Sequence, residues 1–199
     1  MLSSRILPLE TNPGFIIMTW KTKGNPWNNI VQFLLVSRDS NSSINEKIML
    51  AISWDARDML YMEFLTKGLT VNSDKYCASV QSLKQRIRTI RLEINTFILH
   101  HDNARPHCSA QTQDTMTSMK FAVVPHIPYS QDLAPSDFWL FPKLKEMLKG
   151  QHFSSDAKVE TAVRKWISSQ WETFFMDGIN RWIERLKKCV AVNGVYVEK

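Results

Sequence analysis

Cysteine is scarce in this chain and is not arranged for cross-linking. The 199 residues contain three cysteines, Cys77, Cys108 and Cys189, which are far apart and odd in number, with no Cys-x-x-Cys pair. This distribution argues against a disulfide scaffold and against a cysteine-based zinc site. It is typical of a protein that works in a reducing compartment.

Long apolar segments are also missing. No apolar run approaches the roughly 18 residues that a membrane-spanning helix requires, and residues 1–14 lack the apolar region of a secretory signal. Internal repeats and low-complexity segments are absent as well. We therefore expect an intracellular protein without a membrane partner.

The overall composition of the chain is typical of a folded, basic domain. Hydrophobic residues make up 44% of the chain and charged residues 22%, which excludes a chain disordered throughout. The length predicts one domain with a sizeable core. The net charge of +6 is compatible with a polyanionic partner, although it is weak evidence alone.

Two aspartates stand where structural elements are expected to end or begin. Asp102 follows an apolar run of strand length that starts at Thr96, and Asp137 opens an amphipathic run after Pro135-Ser136. The 34 residues 103–136 separate them. Carboxylates at the ends of neighbouring elements can share divalent cations, which activate a nucleophile and neutralise charge on a phosphate.

The sequence around both aspartates resembles the mariner family of DNA transposases. Residues 101–107 read His-Asp-Asn-Ala-Arg-Pro-His, and residues 129–137 read Tyr-Ser-Gln-Asp-Leu-Ala-Pro-Ser-Asp. The family has both blocks, with Pro in place of Gln131, and the same spacing between two catalytic aspartates. The resemblance runs from about Lys47 to the C-terminus and includes a closing pattern with Gly178, Arg185 and Lys188.

This resemblance implies an α/β fold of the ribonuclease-H-like, retroviral-integrase type, in which helices flank a mixed sheet. It predicts a catalytic-type domain over residues 47–199, preceded by a divergent and poorly ordered segment over residues 1–46. The first strand is not clearly supplied by the sequence. Phe15 to Trp20 is a candidate substitute.

The family chemistry is metal-dependent phosphodiester cleavage and strand transfer, with Mg²⁺ (or Mn²⁺) held by three carboxylates. Asp102 matches the second catalytic and metal-binding aspartate and Asp137 the third. The first is expected near residues 9–13, which contain no Asp. Asp55 is a possible accessory carboxylate. The family's paired helix-turn-helix region is also missing, so we expect a truncated copy with impaired or no activity.

The resemblance implies that the partner is DNA, both transposon ends and target DNA. It also implies that the chain assembles as a homodimer. A helix whose apolar face begins at Tyr76 carries Lys84, Arg86 and Arg88 on its other side, where they could contact phosphate. Asn103, Arg105 and His107 could either contact phosphate or brace their loop. The expected location is the nucleus, or the cytoplasm for an inert fragment. A non-catalytic DNA-binding or assembly module and an inert product are the alternatives.

A zinc site is disfavoured. His100, His101 and His107 surround Asp102, but adjacent strand residues point to opposite faces, so His100 and His101 cannot both face one metal. For the C-terminal part, the pattern predicts a last helix that begins at Asp177-Gly178, with a buried core face that starts at Ile179 and includes Trp182.

Overall fold

The computed structural model describes residues 15–19, 48–65, 70–92, 97–128 and 130–192. A five-stranded sheet forms its centre, in the order β3-β2-β1-β4-β5. The strands are β1 (Phe15–Thr19), β2 (Met49–Asp55), β3 (Met59–Leu65), β4 (Phe97–His100) and β5 (Phe121–Val124). Strand β1 is antiparallel to β2 and parallel to β4, while β2–β3 is antiparallel and β4–β5 parallel. The predicted mixed sheet is confirmed.

Six α-helices accompany the sheet in the described ranges. They are α1 (Ser73–Ile90), α2 (Arg105–Cys108), α3 (Ala110–Ser118), α4 (Phe141–Leu148), α5 (Asp156–Ser168) and α6 (Glu172–Ala191). A 3₁₀ turn (Gln131–Leu133) and a π-helical turn (Ser136–Leu140) lead into α4. The side chains of Asn72, Ser109 and Ser155 accept backbone N–H groups at the starts of α1, α3 and α5, and such caps fix where a helix begins.

The sheet is covered on both faces. On one side, α1 and α3 pack against the sheet around Leu83, Ile87, Leu99 and Met116. On the other side, α4, α5 and α6 cover Trp54 and Ile52. Burying a side chain of this size stabilises the fold by roughly 1.5–3 kcal/mol. None of the described helices is long and apolar enough to cross a membrane.

The first strand is supplied from within the segment 1–46. Ile17 of β1 is paired with Trp54 of β2 and with His100 of β4, so Phe15–Thr19 lies in the middle of the sheet. Residues 9–13, where the first carboxylate was sought, lie outside the described residues. The boundary at residue 47 stays a prediction, but these five residues share one sheet with the strands that follow it.

The predicted start of the last helix is wrong. Helix α6 begins at Glu172, five residues before Asp177, and Trp171 is its exposed N-cap. Its buried stripe starts at Phe175 rather than at Ile179. Gly178 therefore lies inside the helix, where a Cβ atom would stand 2.6 Å from Cδ1 of Trp139. This glycine permits close packing of an indole and is no start signal.

Candidate active site at the end of strand β4

Asp102 lies two residues beyond β4 and is held by its own loop. Its Oδ1 accepts the backbone N–H of Ala104 at 3.0 Å and lies 2.5 Å from Nδ1 of His107. Burial alone would raise the pKa of Asp102. The hydrogen bond and charge of His107, with the Ala104 N–H and the charge of His101, outweigh burial and hold this pKa below its ordinary value.

His107 is buried in an aromatic stack. Its ring centroid lies 4.1 Å from that of Tyr76 and 5.3 Å from that of His101, and the Tyr76 hydroxyl is 2.7 Å from Nδ1 of His101. A side chain enclosed in this way cannot reach a phosphate on the surface. Of the two roles considered for His107, the geometry supports bracing Asp102.

Asp137 belongs to the π-helical turn and is almost fully buried. The backbone N–H of Asp137 donates to the Ala134 carbonyl at 2.8 Å. The preceding Ser136 accepts Nε1 of Trp54 at 2.9 Å, and both of these side chains are buried. The turn is thereby tied to β2 in the sheet. π-Helical turns are rare and frequently mark functional sites.

A chain of contacts joins the segments that carry the two aspartates. Asn103 donates Nδ2 to the His126 carbonyl at 2.9 Å, and Nδ1 of His126 lies 3.2 Å from Nε2 of His100. The His100 ring lies 5.0 Å from that of Trp182, whose Nε1 donates to the Leu133 carbonyl at 2.8 Å. The end of β4 and the loop before the π-helical turn are therefore held to one another. Asn103 acts here as a brace.

Asp55 is engaged elsewhere. Its Oδ1 accepts the backbone N–H groups of Arg57 and Asp58 at 2.8 Å, and its carboxylate pairs with Arg91 at 2.9 and 3.2 Å. These bonds close the β2–β3 turn and fasten it to the end of α1. The carboxylate has no role there that requires a metal.

The sheet register also separates Asp55 from Asp102. Asp55 is level with Ile16 on β1 and hence with Leu99 on β4. With the usual strand dimensions, Asp102 lies about 10 Å further along the strands and about 10 Å across two strand spacings. The structure thus does not bring the predicted accessory carboxylate to the end of β4.

The predicted basic residues are distributed unevenly. Arg86 and Arg88 are exposed on α1, and Arg105 is exposed in the first turn of α2. Lys84 is half-buried and donates Nζ to the Met119 carbonyl at 2.6 Å. Burial, followed by the charges of Arg88 and Lys120, lowers the pKa of Lys84. Of these residues on α1, the two arginines are the exposed ones, whereas Lys84 is engaged with the protein.

Two residues of α6 were missed as part of the site. Trp182 was expected only as core, and Arg185 only as part of the closing pattern. Arg185 donates Nη1 to the Asp132 carbonyl at 2.7 Å, and Trp182 donates to the next carbonyl. Their spacing of three residues on one helix face was the available signal. Together they clamp the 3₁₀ turn that precedes the π-helical turn.

The histidines at the end of β4 are buried in the neutral form and face opposite sides of the sheet. His100 contacts His126 and Trp182, whereas His101 contacts Tyr76. This agrees with the argument against a zinc site. Burial lowers the pKa of both His100 and His101 to about 3, with further lowering from neighbouring histidines.

Acid is therefore expected to destabilise the fold well above the range in which carboxylates titrate. Between pH 6.5 and about 3 the unfolded chain binds protons that folded His100 and His101 do not. Stability falls as pH falls through this window, by up to about 1.4 kcal/mol per pH unit for each histidine. Urea unfolding at pH 7, 6 and 5 measures this slope. His101→Gln should reduce this slope.

Comparison with known proteins identifies the family. Residues 37–96 match the family model described as Transposase (partial DDE domain). A solved structure of the Mos1 transposase catalytic domain with Raltegravir and Mn superposes with a TM-score of 0.81 at 30% identity. That match covers 99% of this chain and 91% of that one. The chain belongs to the mariner transposase family.

Two curated relatives place this mariner chain within longer proteins. The Mariner Mos1 transposase of Drosophila mauritiana is 35% identical over 157 residues, which cover 77% of this chain and 46% of that protein. The Histone-lysine N-methyltransferase SETMAR of Homo sapiens is 35% identical over 156 residues, which cover 77% of this chain and 23% of that protein. The chain thus corresponds to less than half of either relative.

The carboxylates of a mariner metal centre are incomplete in the part of the chain that the structure describes. Two Mg²⁺ ions need several carboxylate oxygens between them, some of them shared. Among the described residues no group of three His, Cys, Asp or Glu side chains is placed to hold a metal ion. Oδ1 of Asp102 already contacts the Ala104 N–H and Nδ1 of His107. The residues that the structure describes therefore do not form a two-metal site by themselves.

Proposed function

We propose that this chain is a mariner transposase catalytic-type domain that binds DNA and in which metal-dependent phosphodiester cleavage and strand transfer are impaired or lost. The observation that carries the proposal is the sequence of β1, Phe-Ile-Ile-Met-Thr, in the centre of the sheet. The family's first catalytic carboxylate belongs on this strand. Here the strand supplies none.

The register indicates where the missing carboxylate would be needed. Ile17 is level with His100 in the parallel β1–β4 pair. Strand β4 ends at His100; if the same register continued two residues further along each chain, Thr19 would come level with Asp102. Residues level on neighbouring strands lie about 4.8 Å apart, so a carboxylate at position 19 would stand beside the candidate metal ligand. Threonine at that position offers no charge to a cation.

Asp102 and Asp137 are the proposed remains of the catalytic and metal-binding set. The cations would be Mg²⁺ or Mn²⁺, since the Mos1 catalytic domain has been solved with each of them. DNA is the proposed partner because Mos1 has been solved in a paired-end complex with a left transposon end. The chain's charge of +6 and the exposed Arg86 and Arg88 support this. A homodimer and a nuclear location are parts of the same proposal.

A non-catalytic DNA-binding or assembly module is the second candidate. The observation in its favour is the contact of Asp102 with His107 and the Ala104 N–H, which holds the loop without a metal ion. A loop that is stable in this form keeps its structure without binding a metal ion, so the domain can keep its fold without catalysis. The two candidates differ in whether any cleavage remains.

DNA binding and cleavage can be measured separately. We expect a fluorescent DNA duplex to bind in EDTA with a strong salt dependence. Arg86→Gln/Arg88→Gln should weaken binding and lower the salt slope by about two, because each lost phosphate contact removes about 0.9. Asp102→Asn should bind as the unmodified chain does.

The cleavage assay uses the same duplex with Mg²⁺ or Mn²⁺. The unmodified chain should show little or no nicking above an Asp102→Asn background. Efficient nicking that Asp102→Asn abolishes would contradict the proposed loss of activity. A duplex that does not bind at low salt would contradict the DNA-binding part of the proposal.

A further inference from the structure

Three cationic side chains lie on two aromatic rings that directly follow the aspartate of the π-helical turn. Lys143 Nζ is 4.3 Å and Arg181 Cζ is 4.8 Å from the ring centroid of Trp139. Arg185 Cζ is 3.9 Å from the ring centroid of Phe138. We call these five residues the Trp139 platform. It joins α4 and α6 at the surface next to the candidate site.

The platform is rigid at its base. Trp139 donates Nε1 to the Phe174 carbonyl at 2.9 Å. The same indole lies against Gly178 of α6, where a Cβ atom would stand 2.9 Å from Nε1. Arg185 is fixed by its bond to the Asp132 carbonyl. The cations are therefore presented by a fixed ring and a helix, which reduces the entropy lost when they bind a ligand.

The platform's positive charge is not neutralised locally. In the described ranges, no carboxylate lies within ion-pair distance of Lys143, Arg181 or Arg185. The nearest acids along α6, Asp177 and Glu184, make no such pair. From Arg181 to the end of α6 the helix carries four basic side chains and one acidic one. Two cations that lie against one indole repel each other, and an anion bound between them would offset this electrostatic repulsion.

We propose that the Trp139 platform binds the phosphate backbone of DNA and positions it beside Asp137. This inference rests on the proposed function and adds a second contact surface to it. Arg and Lys are the side chains that hold phosphates, and phosphate contacts set the position of a duplex. Helix α1 lies on the other face of the sheet, so the platform and the α1 arginines are separate surfaces.

Binding of a DNA duplex to the full chain in EDTA tests the platform. Lys143→Gln/Arg181→Gln should weaken binding roughly ten-fold and lower the salt slope by about two. Lys143→Arg/Arg181→Lys keeps both charges and should restore most of the affinity. Circular dichroism and thermal unfolding establish that each variant folds.

Arg164→Gln/Lys165→Gln is the matched control. Arg164 also lies over an aromatic ring, with Cζ 5.1 Å from the centroid of Phe64, but it is on α5 against the edge strand β3. This control should change affinity less than two-fold. Equal losses from the control and the platform variant would overturn the inference, as would a platform variant that binds like the unmodified chain. Preferential binding of polyglutamate over DNA would indicate an acidic protein partner and would overturn it too.

The experiment separates this inference from the proposed function. If the α1 variant loses affinity and the platform variant does not, DNA binding stands and the platform does not contribute. If the platform variant loses affinity while the unmodified chain cleaves DNA efficiently, the platform stands and the proposed loss of activity fails.

Discussion

Replacing Thr19 by Asp is expected to give the domain metal-dependent nicking of DNA that the unmodified chain lacks. Position 19 would come level with Asp102 if the register that pairs Ile17 with His100 continued for two more residues. The substitution therefore adds a carboxylate beside an existing one, near the segment that carries Asp137. Three carboxylates can hold a pair of divalent cations where two cannot.

The gain in the nicking rate should be at least about a hundred-fold, since a single group that stabilises the transition-state charge is worth about 10²–10³ in rate. Adding Asp102→Asn to Thr19→Asp should abolish the gain. A gain that survives this second change would mean that the new carboxylate acts outside the proposed site.

Metal binding gives a readout that does not depend on activity. Without metal, Thr19→Asp should lower the thermal unfolding temperature, because two neighbouring carboxylates repel each other. Mn²⁺ should raise that temperature again, since a ligand that binds only the folded state stabilises it. The unmodified chain should respond less to Mn²⁺.

Met18→Asp is the control for Thr19→Asp. It places the same charge one residue earlier, and successive residues of a strand point to opposite faces of the sheet. Met18→Asp should neither nick DNA nor respond to Mn²⁺. If both variants respond equally, or if neither binds Mn²⁺ while both remain folded, position 19 is not the missing ligand position.

Arg91→Ala is expected to destabilise the fold by about 3–5 kcal/mol, because it leaves the buried carboxylate of Asp55 without its partner. The side chain of Asp55 is 3% exposed and that of Arg91 is 13% exposed. Two bonds join them across 36 positions of the chain. The pair thereby fastens the β2–β3 turn to the end of α1, and urea unfolding measures its loss.

Asp55→Asn tests the charge separately from the turn. The amide oxygen can still accept the N–H groups of Arg57 and Asp58, which Oδ1 accepts in the structure. Asp55→Asn should therefore cost less than Asp55→Ala. In a double-mutant cycle, Asp55→Ala/Arg91→Ala should cost clearly less than the sum of the single changes. Additive costs would show that the two side chains do not interact in solution.

The sequence predicted the features that depend on short-range chemistry. Tyr76, Val80, Leu83 and Ile87 recur at helical spacing, and all are buried on α1. Asn72 and Ser155, whose side chains are of the types that favour helix N-caps, accept backbone N–H groups. The spacing of Asp102 and Asp137 identified the family. These signals lie within a few residues or in a fixed motif, so they can be recognised without knowledge of the fold.

Tertiary structure alone decided where distant residues meet. The sequence offered Phe15 to Trp20 only as a candidate first strand, and pairing with both neighbouring strands is what places Phe15–Thr19 at the centre of the sheet. The Asp55 carboxylate forms an ion pair with Arg91 and does not lie at the end of β4 beside Asp102. Such outcomes depend on sheet register and packing between residues far apart in the chain, which local periodicity does not encode.

The surroundings of the two aspartates also separate what the sequence determines from what the tertiary structure determines. Sequence alone supplied Asp102 and Asp137 as the candidate pair and showed that residues 9–13, where the first carboxylate was expected, contain no Asp. Only the fold showed that His107 is buried against Asp102, and that the cations of α4 and α6 gather on Trp139. A motif states which groups are available, whereas burial and neighbouring charge decide what each can bind.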